Sequence, residues 1–208
     1  MNERLIKDYV VTIDKSGSMT TKLPSGETRW QQGQEYVTAI ASYCQDLDPD
    51  GIKVVTFNGN YTVEDNVTSD KVSEIFKTQS PFGGTNLAAA LQVSFDDYLA
   101  RKESGESKEK GETNIVLTDG EPNGGDAGRQ LVMKTIVDFT LKLDKEDEYS
   151  ISFIQVGDDK LAADFLRALD DDLQSMGAKF DIVDTKSCED IDTLGLTIES
   201  LLIAALED

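Results

Sequence analysis

The sequence predicts an α/β fold: a doubly wound, mostly parallel six-stranded sheet with one antiparallel edge strand and helices on both faces, Rossmann-like in architecture. Three observations lead there. Apolar runs of strand length alternate with longer stretches of helical periodicity, the pattern of parallel strands joined by crossover helices. Two of the runs, Ile52 to Phe57 and Tyr61 to Val67, are separated only by Asn58-Gly59-Asn60, a turn-rich tripeptide that makes a hairpin and so reverses one strand. The 208 residues show no internal repeat and no linker-like stretch, and they fall in the size range of one domain spanning 1–208.

The first strand is Asp8-Tyr9-Val10-Val11-Thr12-Ile13-Asp14. A helix follows over Thr28 to Leu47, where Trp30, Val37, Ile40, Ala41 and Cys44 recur at the spacing of one buried face, so Trp30 reads as core. After the hairpin come strands at Asn114 to Thr118, Ser150 to Val156 and Lys179 to Val183, with helices near Thr85 to Arg101, Gly128 to Leu143, Leu161 to Leu173 and Ile191 to Leu206. Arg101 to Glu112 is charged, carries Gly105 and Gly111 and has no apolar period, so it reads as a solvated, mobile connection.

Charge excludes several classes of function. Lys plus Arg number 20 against 40 Asp plus Glu, a net charge of −20, which repels nucleic acid and anionic membranes alike. No apolar run reaches membrane-spanning length, and Met1 to Asp8 lacks an apolar secretory core, so the chain reads as a cytoplasmic protein without a membrane partner. Cys44 and Cys188 read as free thiols. Histidine is absent, which removes the commonest general base and zinc ligand together.

Three separated pieces place short oxygen-bearing side chains beside glycine where a strand ends or a helix begins: Asp14-Lys15-Ser16-Gly17-Ser18, Gly83-Gly84-Thr85-Asn86 and Thr118-Asp119-Gly120. In an open parallel sheet, ligands bind beyond the carboxyl ends of the strands where strand order reverses. If the strands ending at Ile13 and Leu117 are neighbours there, the pieces meet. The candidate site then holds two carboxylates, Asp14 and Asp119, and three hydroxyls, Ser16, Ser18 and Thr85. An oxygen-only set suits a hard cation. Mg²⁺, which keeps waters in an octahedral shell, fits best; Ca²⁺ fits less well and Mn²⁺ can substitute.

On these residues the chain resembles von Willebrand factor A domains. Asp14-Lys15-Ser16-Gly17-Ser18 is similar to the D-x-S-x-S of their metal-ion-dependent adhesion site, and Thr85 and Asp119 match that site's distal threonine and aspartate. Thr12 to Met19 and Phe82 to Leu87 further resemble bacterial cytoplasmic members associated with tellurite resistance. The resemblance implies a protein-binding module, without catalysis, in which the metal accepts an Asp or Glu from a partner, as in a stress-response complex. The residues support the same mechanism independently: a cation touched by only one or two carboxylates keeps positive charge and an exchangeable water.

Each piece also has a plainer reading. Ser16 or Ser18 can cap a helix, Thr85 can be an N-cap and Asp119-Gly120 a turn; it is their joint placement that favours a metal site. Lys15, Met19 to Glu27 and Glu121 to Asp126 should line its rim. Asp46 to Gly51 starts like a calcium loop, but Phe57 stands where its bidentate glutamate is required, and a helix-terminating turn fits better. Two other functions compete: a Mg²⁺-dependent phosphohydrolase using Asp14 as nucleophile, which lacks the second aspartate at Ser16, and a scaffold of the same family that binds partners without metal.

Overall fold

The computed structural model describes residues 7–47, 51–197 and 200. Six strands among them, β1 (Asp8–Asp14), β2 (Ile52–Phe57), β3 (Tyr61–Val67), β4 (Glu112–Thr118), β5 (Tyr149–Gln155) and β6 (Val183–Ser187), form one sheet in the order β3-β2-β1-β4-β5-β6. All neighbours are parallel except β2 and β3, whose antiparallel hairpin turns on Asn58: its amide bonds the Asn60 carbonyl at 2.8 Å and its side chain accepts from the Asn60 amide at 3.0 Å. β3 is the exposed edge and reads polar, whereas β1, β4 and β5 are buried on both faces and read almost continuously apolar.

The pleat of those central strands sorts their side chains into two cores. Val11 and Ile13 of β1, Val54 of β2, and Ile115 and Leu117 of β4 pack with α1 (Arg29–Leu47), α2 (Ser69–Thr78) and α6 (Cys188–Leu194). Val10, Val55, Phe57, Val116 and Phe153 face the other way, against α3 (Leu87–Ser104), α4 (Asp126–Thr140) and α5 (Lys160–Asp171). Trp30 is indeed core, its ring 4.4 Å from that of Phe76 on α2. Cys44 and Cys188 are buried and not joined in a disulfide.

Several expectations need correction. The last strand lies at Val183–Ser187, not at Lys179 to Val183; the residues from Lys179 instead tie the loop before it to α4, through the Lys179 amide on Thr140 Oγ1 at 3.0 Å and its ammonium on the Leu143 carbonyl at 2.6 Å. α2 was not anticipated: at ten residues it shows a single apolar cluster, Val72, Ile75 and Phe76. The final helix begins earlier than Ile191, at Cys188, and ends at Leu194, where Gly195 takes a φ of 61° and 196–197 are not helical, so it does not run unbroken from Ile191 as anticipated; 201–206 lie outside the described residues, as do 48–50 of the loop compared with a calcium site. Arg101 to Glu112 is not solvated at its ends. Arg101 bridges Asp8, Asp97 and the fully buried Glu112, supplying the counter-charge that lets an acid sit inside the sheet.

Candidate metal centre

β1 is the point where strand order reverses. The chain leaves it for β2 and β3 on one side, then crosses to β4 on the other, with Ile13 paired to Leu117. The carboxyl ends of β1 and β4 therefore lie side by side, and each continues into an acid-bearing loop, at Asp14 and Asp119.

Hydrogen bonds run continuously between those acids. Asp14 Oδ1 accepts from the Ser16 amide at 2.7 Å, the Ser16 and Ser18 hydroxyls are 2.9 Å apart, and Ser18 Oγ donates to Asp119 Oδ1 at 2.8 Å. Asp14, Ser16 and Asp119 are buried. The loop carrying Thr85 is fastened to both neighbours through its backbone: Gly17 donates to the Gly83 carbonyl at 3.0 Å, Phe82 to that of Lys15 at 2.9 Å, and Asn123 to that of Thr85 at 2.9 Å. Asn58, at the end of β2, secures the same loop by accepting from the Asn86 amide and donating its side chain to the Phe82 carbonyl. All five anticipated residues thus converge, four through side-chain or amide contacts and Thr85, itself buried, through its main chain.

The electrostatics follow from burial. Asp14 is pushed up to about 7, first because burial disfavours its charged form and second because the Asp119 charge lies close; the Ser16 amide and the Thr118 hydroxyl pull the other way without prevailing. A cation between the two acids would relieve that repulsion. Among the described residues no group of three or more His, Cys, Asp or Glu side chains is arranged to hold a metal ion, so a metal here depends on the serine and threonine hydroxyls and on water. Two carboxylates with three hydroxyls and no nitrogen or sulfur is a donor set that fits Mg²⁺ chemistry.

The roles of two contributors went unread in the sequence. Thr118, the last residue of β4 and read from the sequence only as part of the Thr118-Asp119-Gly120 piece, donates to Asp14 Oδ2 at 2.7 Å. Arg29, the first residue of α1, places Nη1 2.9 Å from Asp119 Oδ2, with only 11% of its side chain exposed. A signal for Arg29 existed. α1 opens with a capping box in which Thr28 and Gln31 exchange hydrogen bonds, and a cation in the first turn of a helix opposes the helix dipole, so something else must hold it there.

The rim is smaller than anticipated. Met19 is not on it but fully buried in the core beneath α1, and Lys15 bonds Gln79 at 3.0 Å. Burial pulls the Lys15 ammonium below its ordinary value. Glu121 is engaged by Arg129. Phe82 and Leu131 stay exposed, and Leu131 lines a cavity of about 260 Å³ together with Thr85, Asn86, Pro122 and Asn123.

Fold and site together define a doubly wound α/β domain with buried oxygen donors gathered at its switch point. The family model for the von Willebrand factor type A domain matches residues 9–121, which take in Asp14, Ser16, Ser18, Thr85 and Asp119. That is more than half of the chain, and the chain belongs to this family, whose members commonly serve as protein-interaction modules. A comparison with curated proteins found no match.

Proposed function

We propose that the chain is a divalent-metal-dependent protein-binding module in which Asp14, Ser16, Ser18, Thr85 and Asp119 hold a Mg²⁺-type cation that accepts an Asp or Glu from a partner. The observation that carries this reading is the unbroken path from Asp14 through Ser16 and Ser18 to Asp119, which gathers oxygen donors around two buried acids. A bound cation would supply a positively charged position with exchangeable water; the protein's own residues orient the donors and exclude solvent from the carboxylates. Exposed Phe82, on the loop before Thr85, and exposed Leu131, beside Thr85 in the adjoining cavity, offer apolar surface for a partner to cover. We place the chain with the bacterial cytoplasmic members linked to tellurite resistance, acting in a stress-response complex, on the motif resemblance of Thr12 to Met19 and Phe82 to Leu87. No helix among the described residues is long and apolar enough to cross a membrane.

Binding without catalysis is the better reading of Asp14, because an aspartate nucleophile needs a second acid two residues on to protonate the leaving group, and Ser16 stands there. A metal-free scaffold has one observation in its favour: Arg29 already neutralises Asp119. Titrating Mg²⁺ and Mn²⁺ into the metal-stripped protein and into Asp119→Ala by calorimetry, with the thermal midpoint followed alongside, decides between them. Saturable single-site binding and stabilisation confined to the wild type support the metal module. Equal, weak responses in both would show only screening of an acidic surface and would leave the scaffold.

A further inference from the structure

We propose that Arg29 is a tethered counter-cation that competes with the metal for Asp119, holding the metal-free site together and setting how weakly the metal binds; this rests on the metal-dependent reading above. Three features show that its placement is built in. Its backbone is fixed by the capping box of α1 and by its amide, which donates to the Thr21 carbonyl at 2.9 Å. Its guanidinium lies beside Gly157, after β5, so closely that a Cβ there would come within 2.5 Å of Nε and 3.1 Å of Cζ, and the φ of 82° at that position favours glycine independently. Its Nη1 reaches a fully buried carboxylate at 2.9 Å, while Nε is buried with no hydrogen-bond partner among the described residues. A guanidinium seated at that desolvation cost and bonded through one nitrogen is held for its charge on Asp119 more than for a saturated hydrogen-bond network.

Charge arithmetic gives the consequence. In the metal-bound site, where both acids are ionised, Asp14 and Asp119 contribute −2 and Arg29 brings the total to −1; without metal, Arg29 offsets the Asp119 charge, so the buried acids do not require a metal for the fold to persist. A divalent cation then takes the site to +1, which favours an incoming anionic carboxylate, whereas the same cleft without Arg29 would reach only neutrality. The cost of that arrangement is repulsion between the guanidinium and the metal, which lowers metal affinity and keeps the ion exchangeable.

The test compares wild type, Arg29→Gln and Arg29→Lys, titrated with Mg²⁺ alone, by calorimetry and by thermal midpoint. Glutamine keeps a donor for Asp119 without the charge; lysine keeps the charge without the planar fork. Arg29→Gln should have a lower midpoint without metal, bind Mg²⁺ about tenfold more tightly than wild type and gain more stability on binding it. Arg29→Lys should bind Mg²⁺ within about threefold of wild type, and it carries the test if the glutamine variant does not fold without metal. Unchanged or weaker Mg²⁺ binding by Arg29→Gln, or Arg29→Lys binding as tightly as an uncharged variant, overturns the proposal while leaving the metal site standing. No saturable binding by wild type itself overturns the metal-dependent reading instead.

Discussion

Thr118 Oγ1 donates to Asp14 Oδ2 at 2.7 Å across the junction of β4 and β1, so the two strands that carry the acids are joined through one of them. Thr118→Val keeps the shape and removes the donor, leaving a buried carboxylate oxygen without its partner. The expected cost in the metal-free protein is about 1–3 kcal/mol. For a domain of this size that lowers the thermal midpoint by roughly 2–10 °C, and a scan at pH 8 checks it. An unchanged midpoint would show that Asp14 does not depend on this bond.

Burial and the nearby Asp119 charge push Asp14 up to about 7, within the range where binding assays are run. A metal ligand must give up its proton, so protons compete with the cation as the pH falls through that value. Mg²⁺ affinity should therefore be near its plateau at pH 8.5 and fall by up to about tenfold per unit below pH 7. Titrations at pH 5.5, 7 and 8.5 test this; a flat profile would mean that Asp14 stays ionised throughout.

Glu112 gives a second pH dependence, at the opposite end of the sheet. Burial pushes it up to about 7 against the pull of Arg101, from an ordinary value of 4.5. Between those values the folded protein keeps a proton that the unfolded chain has released, so this group's contribution is present below about 4.5 and is lost as the pH rises through 7. Glu112→Gln removes that loss. Between pH 5 and 7 the variant should gain on wild type by up to about 1.4 kcal/mol per pH unit, measured as the difference between their denaturant curves. Parallel curves would mean that Glu112 is ionised inside the fold.

The parts of this molecule that were legible in the sequence are those written in local pattern. β1, α1 and the β2–β3 hairpin carry their own periodicity and turn residues, and the five oxygen donors sit at motif spacing, so their convergence could be anticipated once β1 and β4 were taken as neighbours. What was not legible depends on long-range contacts. Arg29 meets Asp119 ninety residues away, Thr118 reaches Asp14 from 104 residues away, and Arg101 makes an interior site for Glu112 that a charged loop does not announce. Met19 follows a polar motif directly, yet the tertiary fold turns it into the core. β6 was misplaced because Lys179-Phe180-Asp181-Ile182 alternates polar and apolar residues like a half-buried strand, while pairing with β5 starts only at Val183.

Gly33, in α1, tests how tightly the cleft is packed from beneath. Alanine in a helix interior ordinarily gains about 1 kcal/mol over glycine. Here a Cβ would stand 2.7 Å from Leu117 Cδ2 and 3.6 Å from Met19 Cε, and Leu117 is wholly buried two residues before Asp119. Overpacking of that kind costs about 1–3 kcal/mol, so the clash should outweigh the propensity. Gly33→Ala is expected to lower the thermal midpoint by a few degrees; a raised midpoint would show that Leu117 can move aside freely.

Net charge and local charge oppose each other in recruiting an acidic partner. At −20 the protein repels such a partner at long range, while a divalent ion in the cleft attracts its carboxylate at contact. At physiological salt, screening acts over about 8 Å, which weakens the long-range repulsion much more than an interaction inside a buried site. Raising salt from 20 to 200 mM should therefore increase the association rate of an acidic partner in the presence of Mg²⁺, with a smaller effect on dissociation. Stopped-flow measurement across that range checks the prediction. A rate that falls with salt would mean that the partner presents a basic surface, and that its recognition runs through the acidic exterior instead of the Asp14 and Asp119 cleft.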